Sequence, residues 1–376
     1  MKMNDRYDVA VVGAGPAGAV FCEALSARRA DLRILLIDGS GTDGKPCGGL
    51  LAPDAQQVFA EIGIALPNDV LANPQIFAVE TIDMTVNQQK TYQRHYLNMD
   101  RAAFERWLKS RIPTRVTRVA GRVSAIRQEG DTIQLDVDGV CYSASLAVGA
   151  DGAHSTVRRT FFEGVGKQYV SIQEWYREPG ATVPHYSCIF DAAVTDSCSW
   201  TIRKDGYLLL GGAYEKRGCA QAFELQKKRL EKRFGITFGE PIKREACLLN
   251  SPRRMRDFVC GIPRIYLIGE AAGMISASSF EGISAAMISA IGLADAISTE
   301  KTPRGILAQY QRNTRALRIK LWLKTYKRAI LCSPRLRKLI MRSGIGSIRN
   351  AHSMDSLLED GTMDASSGAN YRSSIS

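Results

Sequence analysis

The sequence predicts an α/β protein in which a Rossmann-like nucleotide-binding domain is combined with a separate antiparallel β-sheet domain. A short apolar strand at 7–12 leads directly into Gly13-Ala14-Gly15-Pro16-Ala17-Gly18, which has the GxGxxG spacing and precedes a helical pattern. A second apolar strand at 33–37 ends at Asp38. Between 167 and 215 the pattern changes to strands rich in Tyr, Trp, Val and Ile, which indicates the antiparallel sheet.

The glycine turn predicts where the diphosphate of a nucleotide cofactor binds. Gly13 permits the tight turn, Gly15 lets a pyrophosphate approach the backbone, and Gly18 lets the helix pack closely on the strand. Ala17 lies at the start of this helix, where free amides and the helix dipole attract an anion. A purely structural glycine turn is the alternative interpretation, and the order of strand, turn, helix, strand and acid favours the cofactor site.

Asp38 is predicted to hold the adenosine ribose of the cofactor. It follows Gly18 by twenty residues, at the end of the second strand. A carboxylate at this position accepts hydrogen bonds from the two ribose hydroxyls and repels a 2′-phosphate. The site is therefore expected to hold FAD or NAD rather than NADP.

Two later turns repeat the pattern of an apolar strand that ends at glycine and an acid. The first is Gly149-Ala150-Asp151-Gly152, and the second is Gly269-Glu270-Ala271-Ala272-Gly273. Both return the chain to the nucleotide-binding sheet. A helix is predicted to begin near Gly282, and its amide-rich start is suited to a negatively charged ring system.

Arg101 is predicted to lie in the first turn of a helix, after an N-cap at Asp100. A cation at this end of a helix works against the helix dipole. This position indicates a bound anion nearby, and a simple surface arginine is an equally good interpretation of the sequence alone.

The domain boundaries follow from these signals. The predicted parts are a discontinuous nucleotide-binding domain at 1–60, 98–165 and 255–300, a substrate domain at 61–97 and 166–254, a basic helical region at 301–350, and a disordered tail at 351–376. The tail is rich in Ser, Gly and Asp and has little apolar content.

The net charge of +12 comes from one region of the chain. Between Arg304 and Arg349 there are thirteen Lys and Arg residues and no Asp or Glu. This concentration argues against a basic groove over the main body, so no nucleic-acid partner is expected. No apolar run is long enough to span a bilayer and no signal peptide is visible, so a cytoplasmic location is expected.

Neither the cysteines nor the histidines form a recognisable metal or disulfide pattern. The nine cysteines are scattered without a CxxC pair, and the four histidines lack ligand spacing. We expect no metal site, and small buried thiols in a reducing compartment. The sequence gives no indication of an oligomeric state.

The stretch Lys45-Pro46-Cys47-Gly48-Gly49 has the composition of a tight segment with exposed backbone, which is suited to lie beside a planar ring. Together with the glycine turn, Arg101 and the two later turns, it resembles the FAD-containing fold of aromatic hydroxylases, which is of the glutathione reductase type. Within that fold the sequence resembles the geranylgeranyl reductase family, whose loop also contains proline, cysteine and repeated glycines. The resemblance covers roughly residues 7–300.

The resemblance implies roles for individual residues. Arg101 would approach the FAD phosphates, and Asp151 and Gly152 would assist flavin binding and docking of a nicotinamide cofactor. Glu270 stands where the fold usually has aspartate, one methylene shorter. The implied cofactor-binding residues are Gly13, Gly15, Ala17, Gly18, Asp38, Lys45, Gly48, Gly49, Arg101, Asp151, Gly152, Gly269, Glu270, Gly282 and Ile283.

The family implies an FAD-dependent reductase of carbon–carbon double bonds in an isoprenoid or polyprenyl lipid. Hydride addition to an isolated alkene also requires a proton, and the candidate donors are Cys47, Tyr186 and Glu281. Cys47 ranks first because its loop is expected to pass the flavin, although a small residue packed in a glycine turn is an equally good interpretation.

Trp175, Trp200 and Tyr207 are candidates for lining the substrate pocket, and ordinary core packing explains their positions equally well. Of the family's substrate-sheet motif, only the stretch at 199–202 and the following Gly206 are present. The substrate is therefore the least constrained part of the prediction.

Two alternative functions remain open from the sequence. One is an FAD-dependent monooxygenase that hydroxylates or epoxidises a hydrophobic substrate, and the other is a non-catalytic flavoprotein that binds a lipid carrier. Only one GxGxxG region is present, so NAD(P)H that docks transiently or an electron-transfer protein would be the reductant.

The basic segment at 304–349 mixes cations with leucine and isoleucine. This composition is suited to peripheral contact with an anionic membrane, on the inner face for a cytoplasmic protein, and a solvated helical face is an equally good interpretation.

Overall fold

The computed structural model describes residues 6–39, 45–177 and 183–348. Its strands are β1 Arg6–Val12, β2 Ile34–Asp38, β3 Leu50–Leu51, β4 Ile76–Asp83, β5 Gln88–Asn98, β6 Thr117–Ala120, β7 Val123–Glu129, β8 Thr132–Val137, β9 Val140–Gly149, β10 Lys167–Arg177, β11 Tyr186–Phe190, β12 Ser199–Lys204, β13 Tyr207–Glu215, β14 Lys243–Ser251, β15 Gly261–Ile262 and β16 Ile265–Leu267. Its helices are α1 Pro16–Arg28, α2 Pro53–Glu61, α3 Arg101–Ser110, α4 Thr156–Phe161, α5 Cys219–Phe234, α6 Ile283–Thr299, α7 Pro303–Asn313, α8 Arg315–Cys332 and α9 Pro334–Ser343.

The first sheet has the order β15-β16-β9-β1-β2-β6, with β7 and β8 attached through β9. Its strands β16, β9, β1, β2 and β6 are parallel, and β16, β1, β2 and the end of β9 are almost wholly buried, as expected for a sheet covered on both faces, while β6 is an exposed edge strand. Val12 pairs with both Ile37 and Gly149, and Gly149 pairs with Leu267. The turns that follow these strands therefore meet at one edge of the sheet.

The second sheet has the order β14-β10-β13-β12-β11-β4-β5-β3. The sequence predicts an antiparallel sheet, and the pairs are antiparallel except β11 with β4, which is parallel. Between β4 and β11 the chain forms strands of the first sheet. No hairpin therefore joins β4 to β11, and the two strands need not be antiparallel. Strands β5 and β14 were not predicted, because β5 is mostly polar and exposed and β14 begins with Lys-Arg-Glu.

The two faces of the second sheet differ in what covers them. On one face Ile172, Leu210 and Tyr214 pack against Phe223 and Leu230 of α5. Because side chains alternate along a strand, Trp175, Tyr186, Trp200 and Tyr207 all lie on the opposite face. That face contacts the loop at 45–49 and the loop before α6, as described below.

The C-terminal helices pack on both parts of the fold. The Tyr310 hydroxyl in α7 donates to the Leu267 carbonyl oxygen at 2.8 Å, which attaches this helix to the end of β16. In α8, Arg328 donates to the Tyr169 hydroxyl at 2.6 Å, and in α9 the Arg337 Nε lies 2.5 Å from the Asp83 carboxylate. Two cations of the basic region are thus buried and make contacts with the second sheet. The predicted disordered tail lies outside the described residues.

The Asp83–Arg337 ion pair is almost fully enclosed, since the side chains are 0% and 3% exposed. We predict that Arg337→Met lowers the free energy of unfolding by about 3 kcal/mol or more, because it leaves a buried carboxylate without its cation. Replacing both partners, as in Asp83→Leu with Arg337→Met, is expected to restore part of this loss. Urea unfolding followed by circular dichroism measures both effects.

The matched control is Arg127→Met, which removes one partner of a pair that is 65% and 63% exposed. This change is expected to stay within about 0.5 kcal/mol of the parent protein. An Arg337→Met variant as stable as Arg127→Met would show that the buried pair does not anchor α9.

Candidate functional site

The glycine turn after β1 leaves open space where a cofactor diphosphate is expected. Gly13 has a φ of +101°, and a Cβ there would lie 2.6 Å from the Ala150 carbonyl oxygen. A Cβ on Gly18 would collide with the Gly13 carbonyl oxygen. At Gly15, by contrast, a Cβ would meet no other described atom within 4 Å, and no side chain caps α1. The amides of this helix end are therefore accessible to an anion.

Asp38 ends β2 beside this turn, and its carboxylate lies 2.6 Å from the Lys109 Nζ in the last turn of α3. No local sequence pattern identifies Lys109, because it is 71 residues away in the chain. The ion pair holds the carboxylate in place as an acceptor for ribose hydroxyls. It also offsets the negative charge that was expected to repel a 2′-phosphate.

Asp151 and Gly152 form the turn after β9. One Asp151 oxygen accepts from the Thr156 amide at 2.7 Å and thereby stabilises the start of α4, while Oδ1 is buried with no partner among the described residues. Burial raises the Asp151 pKa above its usual value, although hydrogen bonds from Ser155 and nearby amides oppose this shift. The unpaired Oδ1 is a free acceptor at this edge of the sheet.

The turn at 269–273 is joined to the loop at 45–49 by an ion pair. Lys45 Nζ lies 2.5 Å from one Glu270 oxygen, and the other oxygen accepts from the Asn250 amide at 2.9 Å. Burial lowers the Lys45 pKa, but the charge and hydrogen bond of Glu270, together with Cys247, outweigh it, and the pKa lies above its usual value. A Cβ on Gly269 would lie 2.9 Å from the Ala17 Cβ, so this turn also contacts the start of α1.

Arg101 lies at the start of α3 after the predicted N-cap Asp100, whose carboxylate accepts from the Ala103 amide at 2.8 Å. Its guanidinium donates to Glu105 at 2.8 Å and lies beside Cys47. Burial lowers the Arg101 pKa, but Cys47 and Glu105 outweigh it and the pKa is raised. The structure thus places Arg101 next to the loop at 45–49, which contains Cys47 and is called the cysteine loop.

The cysteine loop rests on β12 of the second sheet. A Cβ on Gly48 would lie 2.7 Å from the Ile202 Cδ1 and 3.7 Å from the Trp200 Nε1. Gly49 has a φ of +68°, and a Cβ there would clash with the Lys204 Nζ and the Met99 carbonyl oxygen. Gly49 is therefore required for the close approach of the two parts of the fold, and a side chain at Gly48 would displace Ile202.

Lys204 is the residue that fixes this approach, and no local sequence pattern identifies it. Its Nζ donates to the carbonyl oxygens of Gly48 at 2.8 Å, Gly49 at 3.3 Å and Met99 at 2.6 Å, and the residue is 3% exposed. Burial lowers its pKa to about 8, although Cys47, Asp100 and Asp205 act in the opposite direction. Lys204 therefore holds its proton less tightly than an ordinary lysine.

The predicted pocket aromatics share one face of the second sheet with Lys204. The rings of Trp175 and Tyr207 lie 6.5 Å apart, and the Lys204 Nζ lies 6.0 Å from the Trp175 ring. Trp200 stacks over Gly211, and its Nε1 is buried with no partner among the described residues. Gln173, 1% exposed on the same face, has an unpaired Oε1. Unpaired buried polar atoms beside aromatic rings are typical of a surface that binds a ligand.

Tyr186 and Glu281 are brought together by Tyr96, which the sequence analysis also missed. The Tyr96 hydroxyl donates to Glu281 at 2.8 Å, and its ring lies 5.5 Å from the Tyr186 ring at an angle of 80°. Glu281 also accepts from the Ser279 hydroxyl at 2.9 Å. Burial, with a smaller contribution from Tyr96, raises the Tyr186 pKa well above its usual value.

Gly282 and Ile283 begin α6 as predicted, and no side chain caps this helix. The preceding loop is closed by the Ser276 amide, which donates to the Glu281 carbonyl oxygen at 3.0 Å. The first amides of α6 are therefore accessible to negative charge, as at α1.

The residues fit a flavin dinucleotide. Uncapped starts of α1 and α6, the open space at Gly15 and the unpaired Asp151 Oδ1 supply donors and an acceptor along one edge.

In the described part of the chain, no group of three or more His, Cys, Asp or Glu residues is arranged to hold a metal. Nor does any described helix have the length and apolar content needed to cross a membrane.

Solved structures share this architecture. A geranylgeranyl bacteriochlorophyll reductase-like protein from Thermoplasma acidophilum superposes with a TM-score of 0.75 at 15% identity, covering 94% of this chain and 95% of that chain. Klebsiella pneumoniae HpxO, solved with FAD and uric acid, has a TM-score of 0.67 at 15% identity and covers 89% and 92%. The fold is the Rossmann-like FAD-binding fold that the sequence predicts, and the similarity to the reductase-like protein agrees with the predicted family resemblance.

Sequence comparison gives two matches. Residues 8–196 match the family model described as lycopene cyclase protein. Protein CbrA of Escherichia coli O139:H28 (strain E24377A / ETEC) is 44% identical over 355 residues, which cover 92% of this chain and 98% of that protein. The chain therefore belongs to the lycopene cyclase protein family and to the family of the CbrA proteins.

Proposed function

We propose that this chain is an FAD-dependent oxidoreductase that reduces carbon–carbon double bonds of an isoprenoid or polyprenyl lipid. The observation that carries this proposal is the contact of the cysteine loop with the aromatic face of the second sheet. There Cys47 lies beside the two cations Arg101 and Lys204, and Gly48 contacts Ile202 next to Trp200. A proton donor, stabilising charges and an apolar surface thus occur together at the edge that fits the cofactor.

In this proposal the first sheet holds FAD at its carboxyl edge. The amides at the start of α1 bind the diphosphate, Asp38 the ribose, and the amides at the start of α6 the negatively charged side of the ring. When bound and reduced, FAD supplies a hydride. NAD(P)H or an electron-transfer protein would deliver the electrons.

Cys47 is the best-placed group to supply the proton. The Cys47 side chain lies beside two cations, Arg101 and Lys204. Lys204, with a pKa of about 8, is suited to return a proton to the sulfur. Glu281 and Tyr186 are less suited, because Glu281 accepts two hydrogen bonds and Tyr186 holds its proton tightly.

The substrate class is supported by surface chemistry and by the names of the relatives. Trp175, Trp200 and Tyr207 offer flat apolar surface, while the unpaired Gln173 Oε1 and Trp200 Nε1 suit a single polar group. The lycopene cyclase and the geranylgeranyl reductase-like protein are both named for isoprenoid compounds.

Gly15→Val tests the cofactor site without disturbing the protein interior. Because a Cβ at Gly15 meets no described atom within 4 Å, the apoprotein is expected to keep its melting temperature. The side chain would occupy the diphosphate position, so FAD affinity, measured by flavin fluorescence quenching, is expected to fall at least about tenfold. Gly18→Val is the contrasting variant, since it clashes with Gly13 and should reduce stability. Unchanged FAD affinity in a folded Gly15→Val protein would contradict the assignment.

The reaction itself is tested by mass spectrometry of a polyprenyl lipid after incubation with FAD-loaded protein. With dithionite and without oxygen, the proposal expects a gain of hydrogen pairs, greatly reduced in Cys47→Ala and unchanged in Cys141→Ala, which alters an exposed cysteine on β9. A gain of oxygen only in air with NADPH would indicate a monooxygenase. An unchanged mass with altered chromatographic retention would indicate double-bond rearrangement instead. An unmodified lipid bound to the FAD-loaded protein would favour the non-catalytic alternative.

Lys204→Met tests whether the Lys204 proton is loosely held. In the folded protein the pKa is about 8 against an ordinary value of 10.5, so the unfolded chain binds this proton more strongly. The parent protein should therefore gain about 3 kcal/mol relative to Lys204→Met as the pH rises from 8 to 10.5, and nothing between pH 6 and 7. Urea unfolding across this range gives the difference. A constant difference would mean that Lys204 is an ordinary cation.

A further inference from the structure

Helix α8 has two apolar faces. Leu317, Leu321 and the aliphatic part of Arg328 are buried against the protein. The opposite side carries a second apolar row, whose members are spaced by four, three and four residues and therefore lie along one line of the helix. This row comprises Ile319, Leu323, Tyr326 and Ile330, which are 40%, 55%, 55% and 41% exposed.

Helix α9 and the turn after it extend this exposed apolar surface. Met341 and Arg337 are its buried residues. Leu336, Leu339, Ile340 and Ile345 point outward, and Leu339 and Ile345 are 68% and 76% exposed. We call the eight outward apolar residues of α8, α9 and this turn the apolar face. This many exposed apolar side chains on two consecutive helices are unusual for a protein surface, and such exposure is typical of an interaction site.

Cations surround the apolar face. Arg315, Lys320, Lys327, Arg335 and Arg342 are exposed, and Lys324 lies half-buried within 3.7 Å of Asp54 on α2. The sequence contains no Asp or Glu between Glu300 and Asp355. The surface therefore combines apolar side chains that need burial with one sign of charge.

We propose that the apolar face docks on an anionic lipid bilayer surface, with α8 and α9 lying along the membrane. Leucine, isoleucine and tyrosine would enter the interface, and the flanking lysines and arginines would contact anionic headgroups. A second copy of the chain fits this surface poorly. A two-fold contact would place the same basic residues opposite one another without any acidic partner.

The apolar face is connected to the proposed catalytic site by a series of side-chain contacts. From α8, Arg328 donates to the Tyr169 hydroxyl at 2.6 Å, and the Tyr169 ring lies 5.6 Å from the Phe280 ring. Phe280 directly precedes Glu281 in the loop that begins α6. Membrane docking would thus bring the aromatic face of the second sheet near a reservoir of hydrophobic lipid. This inference deepens the proposed function, but the docking itself requires neither FAD nor turnover.

Vesicle co-sedimentation of the full chain tests the proposal. Binding to phosphatidylcholine vesicles that contain phosphatidylglycerol is expected to exceed binding to phosphatidylcholine alone by at least about tenfold, and to fall with added salt. Leu323→Ser with Leu339→Ser should abolish most of the binding. Lys320→Gln with Lys327→Gln should remove most of the preference for anionic vesicles.

Matched controls lie on the other side of the protein. Leu225→Ser with Ile242→Ser removes two apolar side chains that are 44% and 55% exposed, and Lys228→Gln with Lys232→Gln removes two exposed cations of α5. These variants should bind vesicles like the parent chain. Equal binding by all variants, or no binding to either vesicle, would overturn the proposal.

Light scattering tests the alternative that a second copy of the chain, rather than a lipid surface, covers the apolar face. A concentration-dependent dimer that is lost in Leu323→Ser with Leu339→Ser would assign the face to a second copy and overturn the membrane proposal. Because vesicle binding is measured without substrate, a protein that docks but leaves polyprenyl lipid unchanged would contradict the proposed reaction alone.

Discussion

The close packing of α1 on the first sheet is the constraint on which the rest of the site depends. Gly18 leaves room only for the Gly13 carbonyl, Gly13 lies against Ala150, and Gly269 lies against Ala17. Three turns from distant parts of the chain are thereby held around the start of one helix. A side chain at Gly13, Gly18 or Gly269 would separate these turns, whereas Gly15 faces open space. This contrast between filled and open glycine positions supports the proposal that the turn binds a cofactor diphosphate.

The second constraint is the attachment of the cysteine loop to the other sheet. Lys45 connects the loop to Glu270 in the first part of the fold, and Lys204 connects it to β12 in the second. Lys204 makes these contacts with carbonyl oxygens and has no carboxylate hydrogen-bonded to it among the described residues, so its charge is costly to bury. A leucine would fill the same space at a lower free-energy cost, but it would not hold the loop, nor could it supply the proton that the proposed mechanism returns to Cys47. The arrangement is best understood as stability given up for function.

Local patterns made much of the fold predictable. The GxGxxG turn, the acid at the end of β2 and the N-cap at Asp100 are short-range signals, and the structure has each of these elements in its predicted place. Tyr96, Lys109 and Lys204 escaped prediction because each acquires its role from a partner far away in the chain. Strand β5 escaped because a polar edge strand lacks the alternation that identifies a half-buried one. Sequence thus predicts a turn well and a tertiary contact poorly.

The basic region shows how one charge pattern can serve two purposes. Arg328 and Arg337 face inward and pair with the second sheet. These contacts prevent α8 and α9 from rotating about their own axes. Because these two positions fix the inner side of α8 and α9, the rows of leucine and isoleucine must face outward. The inward cations therefore determine the orientation of the outward apolar residues. A helix that is attached in this way cannot turn its outer apolar row into the protein, so this row stays available for the membrane docking that we propose. In the proposed docking, the same attachment would connect the lipid surface to Tyr169 and Phe280, and through them to the loop that precedes α6.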